Sequence, residues 1–302
     1  MTAPGLRLPL RPLRARLPLA SRGGFALLML LYGALVLLCL ATLVAAGDLS
    51  LGRNPWDNLL KTAAELARPS FLDLWFGPEQ LAYRSDDGTL LRVENRRQVE
   101  ADFLWALLRA TWVTFQIATL GSLLAALLAL PLACAVARNL RAPRLLALVA
   151  KLVLDVARAV HTLVFGLILV GIVGLGPTAG VLAIALHAMG TYGKLFAESI
   201  ESLDMAAVDA VRATGAGPAQ VFFHAVWPAV LPQFVSHHLY VWEFNIRDST
   251  ILGLIGAGGL GLLISEAVSL FQWSRLATLL IVVVALVMAF DAISRRIREA
   301  LL

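Results

Sequence analysis

Three stretches of this sequence place residue types at spacings that chemistry can use, and each makes its own demand on the surrounding fold. Gly256-Ala-Gly258-Gly-Leu-Gly261 has the letter spacing of a dinucleotide-binding turn. Such a turn cradles a pyrophosphate only between a strand and a helix, with an acid about 20 residues on for the ribose. Here the region near residue 281 reads IVVVALV, Glu266 is too close and Asp291 too far. The glycines suit close backbone approach at a turn instead. Gly190-Thr-Tyr-Gly193-Lys194 resembles a phosphate loop only superficially. It has two residues between its glycines, not the four required, and Leu195 stands where a hydroxyl should follow the lysine. The chain is therefore not expected to hydrolyse ATP by itself. Its histidines (His161, His187, His224, His237 and His238) lack H-E-x-x-H spacing, and no serine sits in a nucleophile elbow. Neither a metal site nor a catalytic residue is expected.

The third stretch is a charged cluster inside an apolar run. Glu243, Asn245, Arg247 and Asp248 follow His237 and His238 within residues 233–254. An Asp or Arg at the centre of a membrane helix costs roughly 2.5–3.5 kcal/mol on insertion scales, so such residues rarely face lipid. Two readings fit. Glu243 and Arg247, four apart, can pair along one helix face as a structural salt bridge between helices. Alternatively the cluster lines a polar route through the bundle. Both can hold at once, because a paired arginine still attracts an anion when the path opens.

The elements that must position these groups are membrane helices. Of 302 residues, 59% are hydrophobic and only 15% charged, where a soluble domain carries about 25% charged residues. Cys39 and Cys134 lie in apolar runs and are read as packing residues. A basic N-terminus, 1–23, precedes a first span at 24–46, whose apolar core exceeds the roughly 7–15 residues of a signal peptide and reads as an uncleaved anchor. Residues 47–102 hold ten acids against seven Lys or Arg, with one amphipathic helix expected around Trp56 to Leu66. Further spans are expected at about 105–135, 145–174, 177–196, 233–254 and 276–290. Arginines crowd the N-terminus, the loop at Arg138, Arg141 and Arg144, and the C-terminus at Arg295, Arg296 and Arg298. By the positive-inside rule these are cytoplasmic and 47–102 is extracytoplasmic. The expectation is an all-α polytopic membrane protein with six transmembrane helices and both termini in the cytoplasm.

This topology puts one odd segment in the cytoplasm. Residues 204–232, DMAAVDAVRATGAGPAQVFFHAVWPAVLP, carry Asp209, Arg212, Gly215, Gly217, Pro218, Gln220, Pro228 and Pro232, poor choices for a lipid-facing helix. A chain this apolar has reason to keep such an island only as a contact for something outside the membrane.

The island resembles the coupling loop of bacterial ABC importer permeases, whose pattern is E-A-A, three residues, Gly, nine residues, I-x-L-P. Asp209-Ala210-Val211 stands at the E-A-A position, Gly215 at the glycine, and Ala225, Trp227 and Pro228 at the I, L and P positions. Asp209 is conservative; Val211, Ala225 and Trp227 depart from the pattern. With FAESIESLD before the island and WEFNIRDSTILGLIGAGGLG at 242–261, the chain is similar to the phosphonate-type branch of these permeases over roughly residues 103–298. The resemblance implies a type I ABC importer permease fold in the bacterial inner membrane. It implies a second permease copy as homodimer, two cytoplasmic ATPases that carry ATP and Mg, and an extracytoplasmic substrate-binding protein. No cofactor is implied in this chain, and no nucleic acid as partner. The coupling helix would dock on the ATPase through Asp209, Ala210, Arg212, Gly215, Gly217 and Pro228, and Glu243, Asn245, Arg247 and Asp248 would border the substrate pathway. The solute implied is a phosphonate, phosphite or related oxyanion. A permease for another small solute, or a proton-coupled carrier using the charged cluster, remain the alternatives.

Overall fold

The computed structural model describes residues 22–47, 54–76, 80–84, 87, 89–140 and 142–301. By internal contacts the chain divides after Leu60. Of the first unit, the described part is α1 (Arg22–Ala46) and the start of α2 (Pro55–Leu66). At 25 residues and about 1.5 Å per residue, α1 is long enough to cross a bilayer. Asp57 in the first turn of α2 complements the positive end of that helix.

The second unit holds the rest of α2, then α3 (Asp73–Phe76) and a hairpin, β1 (Gln80–Arg84) antiparallel to β2 (Leu90–Asn95), with Gln80 opposite Asn95 and Tyr83 opposite Arg92. The sequence reading assigned one helix to 47–102; the hairpin is an addition. Asn95 ends β2 and caps α4 (Arg96–Val136), its side chain accepting from the Arg97 amide at 3.0 Å. Arg96 pairs with Asp73, which fastens α3 to the start of α4.

The remaining helices are α5 (Arg144–Ala159), α6 (Thr162–Val173), α7 (Pro177–Glu201), α8 (Met205–Ala213), α9 (Pro218–Val221), α10 (Trp227–Leu252), α11 (Leu260–Ser269) and α12 (Trp273–Leu301). Among the described residues four helices are long and apolar enough to span a membrane. The number rises to six if α5 with α6, bent by 93°, and the 218–257 run with α11, bent by 59°, each count as one. The expected straight span at 145–174 is therefore corrected. It breaks at Val160–His161, where the extended His161 caps α6 by accepting from the Leu163 amide. The start of α12 is also tied to residues before α3: Ser274 Oγ donates to the Arg68 carbonyl at 2.5 Å, and the Ser70 and Thr278 hydroxyls meet at 3.1 Å.

α7 is the hub, packed against α4, α5, α6 and α10. Its buried Ala183, Ala188, Gly190, Gly193 and Ala197 keep the neighbouring backbones close. A Cβ at Gly190 would lie 2.5 Å from the Arg158 amide nitrogen and 2.6 Å from the Leu154 carbonyl oxygen, whereas one at Gly193 would meet only the Leu154 side chain. Overpacking of this kind costs about 1–3 kcal/mol. Gly193→Ala should lower the thermal midpoint in detergent, and adding Leu154→Ala should restore part of it. Gly190→Ala should not be rescued by that change, because its obstacle is backbone.

Candidate functional site

The island folds as a short helix, a left-handed turn and a second helical start. Asp204 caps α8, accepting from the Ala206 amide at 2.9 Å. Val208 is buried, and Met205 and Val211 pack on the core, while Ala206, Ala207, Asp209, Ala210 and Ala213 are exposed. The result is an outer face of alanines around Asp209. Val211, which departs from the E-A-A pattern, falls on the inner side. Asp209 and Arg212 pair with each other at 2.9 Å. The helix ends on Gly215, whose φ is +83° and whose amide donates to the Arg212 carbonyl at 3.0 Å. Nothing lies within 4 Å of a Cβ built there, so glycine is required for its backbone angle alone. The Gly217 amide donates to the Gln220 side chain at 2.9 Å, and Pro218 opens α9 where its missing N–H costs nothing.

α9 joins α10 through a widened turn, Phe222–Val226, closed by the Trp227 amide on the Phe222 carbonyl. Pro228 and Pro232 lack the N–H groups that a regular ladder needs, and a single π-turn is a common way to absorb such a defect. Trp227, another departure from the pattern, is half-buried and packs against Phe222 and Phe234.

On α10 the Glu243–Arg247 pair that the spacing allows is absent among the described residues, which goes against the structural one of the two readings of the charged cluster. Among the described residues the Arg247 guanidinium makes no ion pair or hydrogen bond; the residue is exposed, and the guanidinium lies 5.3 Å from the centroid of the Phe244 ring. Glu243, half-buried, likewise has neither. Asp248 accepts from the Thr162 hydroxyl at 2.8 Å, and the buried Asn245 amide donates to Ser122 at 2.7 Å. Trp242 donates to Thr119 at 3.1 Å. Asn245 and Asp248 thus fix α10 to α4 and α6, while Arg247 shares an exposed stripe with Tyr240, Phe244 and Ile251. The anchoring hydroxyls Thr119, Ser122 and Thr162 were missed in the sequence. Their signal was polar atoms recurring in otherwise apolar helices.

Two motifs resolve into packing. Gly258 and Gly259 have φ of +84° and +70° between α10 and α11, and the Leu260 amide donates to the Thr114 hydroxyl at 2.8 Å. A Cβ at Gly261 would fall on the Thr250 carbonyl. The histidines are held by local hydrogen bonds: His237 to Ser199 at 3.0 Å, His238 to Tyr192 at 3.1 Å, His187 to the Val160 carbonyl at 2.8 Å and His224 to the Gln220 carbonyl at 2.9 Å.

Residues 114–301 match the family described as "Binding-protein-dependent transport system inner membrane component". The phosphite transport system permease protein PtxC of Stutzerimonas stutzeri is 41% identical over 186 residues, covering 62% of this chain and 68% of that one. The phosphate-import permease protein PhnE of Mycolicibacterium smegmatis is 35% identical over 189 residues, covering 63% of this chain and 36% of that one. Among solved structures, a chain of the MetNI methionine ABC transporter in an inward-facing conformation superposes with a TM-score of 0.60 at 20% identity, covering 67% of this chain and 98% of that one. The family match runs from within α4 to α12, the elements that carry the island and the charged helix. The chain belongs to the binding-protein-dependent transport system inner membrane components, the membrane-embedded permeases of ABC importers.

Proposed function

We propose that the chain is the permease of an ATP-driven importer for an oxyanion of phosphorus, phosphite or a phosphonate, delivered by a separate binding protein. The observation that carries the substrate class is Arg247. An unpaired guanidinium on an exposed stripe of an apolar helix is too costly to leave in lipid, so the stripe faces a water-filled path. A second copy of the chain, apposed on this stripe, encloses that path. Arginine suits a phosphorus oxyanion because its planar fork offers parallel N–H donors. The names of the relatives support the same class. Asn245 and Asp248 act as positioning residues that hold the stripe in place, and Glu243 borders it.

The island is the dock for the ATPase. Each of two permease copies presents the exposed face of α8 to one ATPase subunit, which carries ATP and Mg. Closure of the ATPase pair moves α8 and, through the π-turn and α10, switches the bundle between its two states. Only contacts that differ between those states transmit work.

The reading of substrate class is tested by ATP turnover of the assembled complex in liposomes. Binding protein loaded with phosphite or methylphosphonate should stimulate hydrolysis; the same protein with sulfate or methionine should not. Stimulation by methionine alone would show that the anion reading is wrong.

A further inference from the structure

A second basic site, whose lining does not include Arg247, lies along α5 beside the ends of α4 and α7. There a cavity of about 540 Å³ opens between the end of α4, one face of α5 and the last turns of α7. Its charged lining is five cations and three acids. Three of those cations already have partners: Arg158 with Asp155 at 2.9 Å, Lys194 with Glu198 at 3.7 Å and Arg138 with Glu201 at 3.8 Å. Arg144 and Lys151 have none among the described residues. They stand seven residues apart on α5, two turns on the same face, with about 10 Å of rise between them. Side chains of their length can converge on one anion held between them. The rest of the wall is apolar, including Ala147, Leu148, Leu154 and Ala197. Low-dielectric walls around uncompensated charge concentrate the field in the opening.

We infer that this cavity binds a phosphoryl anion between Arg144 and Lys151, at the end of the bundle that carries the island. Two cations on one oxyanion make charge-assisted hydrogen bonds, stronger than neutral ones, and the three acids lie in pairs that cancel their repulsion. The anion has two possible sources, free inorganic phosphate or the headgroup of an anionic phospholipid whose acyl chains lie along exposed Leu145 and Leu152. The inference does not depend on what the pathway transports.

Both sources are tested with the full chain carrying Arg247→Gln, which removes the other candidate anion contact. In phosphatidylcholine nanodiscs, inorganic phosphate at constant ionic strength should raise the thermal midpoint where chloride does not. In membranes mixing phosphatidylcholine with phosphatidylglycerol, native mass spectrometry should find phosphatidylglycerol enriched on the chain. Arg144→Gln with Lys151→Gln should weaken whichever response occurs by roughly tenfold. Arg296→Gln with Arg298→Gln, an equal charge loss on α12, should leave it unchanged. A phosphate response lost only in the cavity variant identifies a soluble anion, and phosphatidylglycerol enrichment lost only there identifies a headgroup. The inference is overturned if neither response appears, if the cavity variant keeps it, or if the α12 control loses it equally.

Discussion

Arg247→Gln should reduce binding-protein-dependent uptake by roughly 10- to 150-fold, the equivalent of one lost hydrogen-bonded charge contact of about 1.5–3 kcal/mol. The complex should still assemble and keep its basal ATP turnover, because Arg247 is exposed and its guanidinium holds no ion pair or hydrogen bond among the described residues. The guanidinium lies over the Phe244 ring, a cation–π contact worth about 0.5–1 kcal/mol at an exposed site. Arg247→Lys should retain part of the uptake, since it keeps the charge and loses only the planar fork. Uptake at wild-type rates with a lowered thermal midpoint would place Arg247 in a structural role instead. The neighbouring positions should behave differently. Asn245→Leu removes the hydrogen bond to Ser122 inside the bundle, so its first effect should be on stability.

Gly215→Pro should abolish both ATPase association and uptake. Proline fixes φ near −65°, whereas this turn needs +83°. It also removes the amide that donates to the Arg212 carbonyl. Gly215→Val keeps that amide but pays the left-handed penalty of about 1–2 kcal/mol, and should weaken association without eliminating it. Gly215→Asn should be close to wild type, because asparagine tolerates this region. The order Asn, Val, Pro separates a backbone requirement from a steric one, since the space around the Cβ is open for all three. Co-purification of the ATPase with each variant reads the result, and Gly215→Pro that still captures the ATPase and transports would sink the coupling role of the island.

The island was legible because Gly, Pro and Asp are conspicuous in an apolar chain, and its helix and turn follow from capping and φ. The bent span was not. No proline or glycine marks Val160–His161, and a hydropathy window averages the amphipathic α5 with the uniformly apolar α6. The missing Glu243–Arg247 pair shows the limit of i, i+4 reasoning. Spacing allows the contact, but the guanidinium lies over Phe244 on the exposed stripe and leaves Glu243 half-buried beside it. The hairpin at 80–95 did carry a signal, Asp87-Gly88 between runs with alternating Leu, Tyr and Val.

ATP on a partner, not an ion gradient, should drive this permease to import a phosphorus oxyanion. The most direct test is uptake of radiolabelled phosphite into proteoliposomes holding the permease and its ATPase, with loaded binding protein outside and ATP inside. Uptake should require ATP and binding protein and persist when an uncoupler collapses the proton gradient. Uptake by the permease without the ATPase, abolished by the uncoupler, would contradict this.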